Sequence, residues 1–411
     1  MSNLTFDNNA FSIKSITLPN GKEVSFKAFE KLYFVQNVED PNYQYLNIYV
    51  PLNLKSDDKK PPILLRTYIG GYFAGFPMEP SLNDATGRAL SEGYVVCIPG
   101  SRGSNSIIED EKGNKIYTGR IPAGLLDLKA AVRYLRKNND NIPGDVERII
   151  SDGTSAGGAM SSLLGSTGNH PIFEEYLEKM GAAKERDDIF AAVCYCPITD
   201  LDHADMAYEW LYGNTESRKS LSQEQIQVSK ELASQFPDYL NKLGLKKEDG
   251  TKITIENYLE YIKSFLIKSA QRAKNEGFDI PEESGILLSD PPMMGPPRPQ
   301  KGDNSRLPPS FGPRGNHMEK RQGEFVIDID MEKYLNYVVS MKPLKMIPSF
   351  DAMNVLGNQA TPENMAFGDE KGNSFNYTEF NRTYACRILT IVCRQEKSMC
   401  NLCVLITKIS K

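Results

Sequence analysis

Three histidines, His170, His203 and His317, are all that the 411 residues hold. Any chemistry that needs an imidazole therefore has few places to find one. Positive charge is never in excess: 48 Lys and Arg stand against 53 Asp and Glu, for a net charge of −5 and an isoelectric point of about 5.6. That excludes the broad basic field by which proteins hold nucleic acid or an anionic membrane. No apolar run approaches the ~18 residues a membrane span needs. The first residues, MSNLTFDNNAF, have neither a basic n-region nor an apolar h-region. No secretory signal is read there, so the expected location is cytoplasmic. No internal repeat is visible, which excludes a solenoid or a propeller. Cysteine is unevenly spread. Cys97, Cys194 and Cys196 lie in apolar runs and read as small buried hydrophobes, whereas Cys386, Cys393, Cys400 and Cys403 crowd the end.

What is present is an alternation. Leu46–Val50 and Ile63–Tyr68 are apolar, β-rich and bounded by turn residues, so both read as strands. Tyr94–Ile98 is a continuous apolar run suited to a strand buried on both faces. Leu125–Arg136 carries Leu125, Leu128, Val132 and Leu135 at helical spacing. Val146–Ser151 reads as a strand, Ala159–Leu164 as a helix, and Ala191–Tyr195 as the next buried strand. Strands alternating with helices predict an α/β fold with a mostly parallel sheet. Ligands of such sheets bind beyond the carboxyl ends of the strands. The alternation stops near Gly213. Ser222 and Gln225 form a capping-box pattern for a helix to about Leu243, and Thr254 can cap a second helix. Pro291–Pro313 reads as irregular and Gly323–Leu335 as an alternating, strand-like run. The expected organisation is a core over 1–214, an insertion over 215–345 forming a lid, a return to the core over 346–381, and an atypical tail over 382–411.

Between the strand at Val146 and the helix at Ala159 stands Gly153-Thr154-Ser155-Ala156-Gly157. Gly-x-Ser-x-Gly on a strand-to-helix turn is a nucleophile elbow: the glycines clear the crowded backbone and the serine hydroxyl points into the cleft. The helix start then offers N–H groups to a developing oxyanion. Ile69-Gly-Gly-Tyr-Phe73 follows an earlier strand, where a second oxyanion donor is expected. Ser155 is the candidate nucleophile. The candidate oxyanion donors are the backbone N–H of Ala156 and that of Gly71 or Tyr72.

TYIGGYFAGFP, VVCIPGSRG, IPAGLLDLKAAVRYLR, DGTSAGGAMSSLLG and CPITDLDHADMAYEW together resemble bacterial tannases. More widely they resemble feruloyl-esterase-type α/β-hydrolases, and the likeness runs to about Phe380. The resemblance implies an α/β-hydrolase fold with a large lid insertion. It implies hydrolysis of phenolic, galloyl-like esters through an acyl-serine intermediate, with a small-molecule ester as partner. It implies no cofactor or metal, since acyl-serine chemistry needs none. It further implies that Lys345 and Glu363 bind the phenolic hydroxyls, although the residues themselves read as solvated loop groups. Ala156 is the small residue usual after an esterase serine, which opposes a serine peptidase.

The family keeps its acid and histidine after the lid. Here RTYACRILTIVCRQEKSMCNLCVLITKISK follows Asn381, without histidine or glycine. The expectation is a chain that left its usual frame or end, with the last core elements missing; a genuine divergent tail is the other reading. Cys400 and Cys403 have the spacing of half a zinc site, but the remaining separations fit no common framework. Two functions follow: a serine carboxylic-ester hydrolase, or a hydrolase fold without catalysis. His203, in Asp200-Leu-Asp-His-Ala-Asp205, is the best substitute base of the three histidines, with a structural or substrate-side role as its alternative.

Overall fold

The structure is a computed structural model that describes residues 4–54, 59–289, 325–342, 344–347, 361–378 and 380–381. Pro291–Pro313, His317 and the tail 382–411 with its cysteines lie outside the described residues.

In chain order the first elements are the strands β1 (Ser12–Thr17), β2 (Glu23–Tyr33), β3 (Tyr45–Pro51) and β4 (Pro62–Arg66). Helix α1 (Ala85–Ser91) leads to β5 (Val95–Pro99) and the small hairpin β6 (Ile107–Glu109) and β7 (Lys115–Tyr117). Then come α2 (Ala123–Lys137), β8 (Asp145–Thr154), α3 (Ala156–Ser166), α4 (Glu174–Lys179), β9 (Ala191–Tyr195) and α5 (Leu201–Tyr212). The later elements are α6 (Gln223–Lys242), α7 (Ile255–Asn275), β10 (Ile286–Ser289), β11 (Phe325–Ile329), α8 (Met331–Met341) and α9 (Pro362–Ala366).

Seven strands form one sheet in the order β1-β2-β3-β5-β4-β8-β9. The half from β5 to β9 is parallel; β1, β2 and β3 extend it antiparallel. Alternation along each strand divides the side chains between two layers. Ile63 and Leu65 of β4, and Val95 and Cys97 of β5, join Leu128, Val132 and Leu135 of α2 and Ala159 and Leu164 of α3. Leu64, Val96 and Ile98 point the other way, onto Leu90 of α1. The middle of the sheet is thus covered by helices on both faces, and β4 and β5 read as apolar runs for that reason.

The charged side of α2 is buried too, from Ala123 to Arg136. Its buried Lys129, Arg133 and Arg136 are neutralised by partners from other segments. Lys129 lies 2.8 Å from Asp187, Arg133 reaches Asp187 and Glu174 at 2.8 and 2.7 Å, and Arg136 reaches Glu147 at 2.6 Å.

The chain divides into two compact units, residues 1–205 with 346–411, and residues 206–345. This division falls within α5, not at the expected 214. In the second unit α6 opens with the capping box of Ser222 and Gln225, and α7 with that of Thr254 and Asn257. Trp210, Phe236 and Tyr258 meet there, with ring centroids 5.0 to 5.8 Å apart. The strand-like run expected over Gly323–Leu335 holds only for β11. Asp330 caps the N–H of Lys333 and turns the chain into α8. The expectation for cysteine also needs correcting. Cys97 is buried, which pushes its thiol up, but Cys194 is half-buried and Cys196 exposed. The reason is position: among the described residues β9 is an edge strand, and Cys196 follows its last residue.

Candidate active site

The elbow is built by close approach. A Cβ on Gly153 would stand 2.2 Å from the Gly157 carbonyl oxygen, and one on Gly157 would stand 2.8 Å from that of Ile69. Neither position admits any other residue without moving backbone. The turn they permit holds Ser155 at φ 58 and ψ −122. A non-glycine residue held in such a conformation stores about 1–3 kcal/mol and persists only where its surroundings enforce it. Here the Ser155 N–H donates to the Tyr195 carbonyl across 2.8 Å, pinning the turn to the end of β9. Ser155 precedes the first residue of α3, where serine ordinarily caps the helix with its own oxygen. Its side chain makes no such bond. The hydroxyl is exposed at the helix N-terminus, where the dipole favours negative charge. Just before the turn, Asp152 of β8 pairs with Arg66 of β4.

The loop after β4 lies against this turn, since Ile69 is the residue that Gly157 must clear. It contains two successive left-handed residues, Gly71 at φ 57 and Tyr72 at φ 56. Two such residues in a row curl the backbone, and the Phe73 N–H closes the curl on the Gly70 carbonyl at 3.0 Å. Among the described residues, neither the Ala156 nor the Tyr72 N–H has a backbone hydrogen-bond partner. These are donors of the kind an oxyanion hole requires.

Glu363 is not the solvated loop group its residue type suggests. It sits in the first turn of α9, 7% exposed. The ring of the preceding Pro362 comes within 3.6 Å of where Gly71 would carry a Cβ. Tyr72 is buried, and its phenol is pushed up to about 12, first by burial and then by the negative charge of Glu363. The loop, Pro362 and Glu363 therefore form one neighbourhood. Lys345 belongs to the second unit, is exposed, and accepts a hydrogen bond from Arg218 on its carbonyl at 2.9 Å.

Of the histidines, His170 is exposed and accepts from the Ile172 N–H at 3.3 Å. His203 is held through Nδ1 by both oxygens of Asp200, at 2.8 and 3.0 Å. Among the described residues Ser155 Oγ has no hydrogen bond. Reading residue by residue also missed Asp205, whose carboxylate gathers Tyr377 and Asn381. The one available signal was the run of amide and hydroxyl residues from Asn373 to Asn381.

The BD-FAE family model matches residues 46–239. The tannase of Fusobacterium nucleatum superposes with a TM-score of 0.74 at 31% identity, covering 96% of this chain and 82% of that one. A tannin acyl hydrolase solved with ethyl gallate superposes with a TM-score of 0.72 at 31% identity, covering 93% and 80%. The para-nitrobenzyl esterase of Bacillus subtilis is 26% identical over 141 residues, which are 34% of this chain but only 28% of that protein. With 31% identity across 82% of a tannase, an elbow serine at a parallel strand end and helices on both sheet faces, the chain belongs to the tannase family of α/β-hydrolases, a family of carboxylic-ester hydrolases.

Proposed function

We propose that this chain hydrolyses esters of phenolic acids, of galloyl type, through an acyl-serine intermediate on Ser155. The observation that carries the reading is the left-handed Ser155 at the head of α3, its hydroxyl exposed and not spent on capping. In this reading Oγ attacks the ester carbonyl carbon. The N–H of Ala156 and that of Gly71 or Tyr72 receive the oxyanion. The C–O bond to the alcohol breaks as its oxygen takes a proton. Water then adds to the acyl-serine, and the acid leaves as Oγ regains its proton. The first proton passes from Oγ to a base. His203, oriented by Asp200, is the imidazole to test first, by His203→Ala.

Lys345 and Glu363 are proposed to bind the phenolic hydroxyls. A relative solved with ethyl gallate and the burial of Glu363 beside the curled loop support this. The expected result is a kcat/KM for methyl gallate well above that for methyl benzoate, with no cleavage of the matching amide. Lys345→Ala and Glu363→Gln would each reduce that preference by about 10-fold or more, because a site built to bond hydroxyls then holds unpaired groups. Equal rates on gallate and benzoate would remove the galloyl assignment. Among the described residues no helix is long and apolar enough to cross a membrane.

A second reading is a hydrolase fold that binds phenolic esters without cleaving them. It is favoured by the absence, among the described residues, of any hydrogen bond to Ser155 Oγ. Loss of a triad base costs on the order of 10⁶ in turnover.

A further inference from the structure

Asp205 lies in α5, the helix that follows β9, and is 9% exposed. Its two carboxylate oxygens are divided between separate donors. The Tyr377 hydroxyl donates to one and the Asn381 side-chain amide to the other. Asn381 is wholly buried and also bonds the Thr378 hydroxyl oxygen at 2.7 Å. Its carbonyl accepts from the side-chain amide of Asn376 at 3.3 Å. Asn376 accepts in turn from the side chain of Asn364 at 3.1 Å, and Asn364 accepts from the Tyr377 N–H at 3.0 Å. Asn364 is the residue after Glu363 and is itself fully buried. The other end of α9 is tied down independently. Arg120 donates to the carbonyls of Met365 and Asp369, and the Ile121 N–H donates to that of Ala366 at 3.0 Å.

Stability alone does not call for such an array, because well-packed apolar residues of similar volume often stabilise as well or better. What a fully bonded buried network adds is one unique geometry. This network ends at the turn that sets Pro362 within 3.6 Å of the Gly71 Cβ position and Glu363 beside Tyr72.

We infer that Asp205 is a positioning residue for substrate recognition: through Tyr377 and Asn381 it clamps the first turn of α9, so that Glu363 stands at the oxyanion loop ready to bond a phenolic hydroxyl of the acyl group. Asp205 does not touch substrate. The inference rests on the galloyl reading above and assigns its selectivity to a residue far from Glu363 in the chain. An ill-positioned contact is costly, since a shift of about 1 Å can cost on the order of 100-fold.

The test is calorimetric titration of ethyl gallate and of ethyl benzoate into the full chain carrying Ser155→Ala, which removes turnover from the measurement. Asp205→Asn and Tyr377→Phe are then added singly, each with a thermal melt. The expected result is a preference for ethyl gallate in the Ser155→Ala protein that falls about 10-fold in both added variants, while ethyl benzoate binds as before. Tyr377→Phe removes one hydroxyl only, so it keeps the test open should Asp205→Asn not fold. A preference for gallate that persists in a folded variant overturns the inference alone. No preference in the Ser155→Ala protein itself overturns the galloyl reading and the inference with it.

Discussion

Gly153 and Gly157 show what a single residue decides. Each is a glycine because backbone oxygen occupies the space where a side chain would start. Gly153→Ala forces a Cβ to 2.2 Å from the Gly157 oxygen, so the turn must open. The expected cost is about 2–3 kcal/mol or more, read as a lowered denaturant midpoint. Ser155→Ala, by contrast, keeps the backbone and leaves the midpoint almost unchanged. Equal stability of Gly153→Ala and wild type would contradict the crowding argument. These residues were legible in the sequence because their constraint is local: strand, turn and helix are contiguous, and the motif is their steric signature. Glu363 was singled out only through family likeness, and its residue type gave no sign of its burial. It is buried and its charge reaches Tyr72, and no local pattern reports a neighbour that distant. Asp205 was hidden for the same reason, since its partners Tyr377 and Asn381 are remote in the chain.

Helix α2 shows the same division at the scale of an element. Its apolar positions Leu125, Leu128, Val132 and Leu135 are periodic, and they announced the helix and its core face. Its buried cations were not readable, because Asp187, which answers Lys129 and Arg133, lies beyond β8 and α4. Burial pushes the Asp187 carboxyl up, but hydrogen bonds from Lys129, the Asn169 N–H and Arg133 outweigh it and hold it below the usual carboxylate range. A carboxyl depressed in the folded state stabilises fully above its unfolded pKa of about 3.9. That contribution is lost as pH falls through the lower folded value. Asp187→Ala leaves Lys129 buried without this carboxylate, at an expected cost of about 3–5 kcal/mol. The wild-type advantage over Asp187→Ala, measured by urea unfolding, should be flat from neutral pH to about pH 5 and shrink below it. A difference that does not change with acidification would contradict the assignment. Among the strands, β4 and β5 were visible as apolar runs and are buried; β8 and β9 were also legible as strands, but β9, expected to be buried, is half-exposed because among the described residues it is an edge strand. β1 and β2 were not legible, because they mix charged and apolar residues on the antiparallel flank of the sheet.

The molecule as a whole combines a family's scaffold with a serine that needs a base. The sheet carries Ser155 on a strand-to-helix turn beside the curled loop after β4, and 31% identity to a tannase extends over 96% of this chain. A break in the strand–helix alternation led the sequence reading to expect an insertion over 215–345; the second compact unit is residues 206–345. Catalysis needs more than the scaffold: the proton of Ser155 must go to a group that holds it, and Asp200 orients one imidazole, His203, through Nδ1. If His203 is that base, His203→Ala lowers kcat by several orders of magnitude while KM for the ester stays within a few-fold. An unchanged kcat in His203→Ala assigns the proton elsewhere. One measurement on Ser155 itself precedes that one. It is the turnover of methyl gallate by the purified 411-residue chain beside the Ser155→Ala protein. The expected result is hydrolysis that depends on Ser155 and exceeds the variant by orders of magnitude. Equal rates from two folded proteins would mean that the chain keeps an esterase's architecture without its reaction.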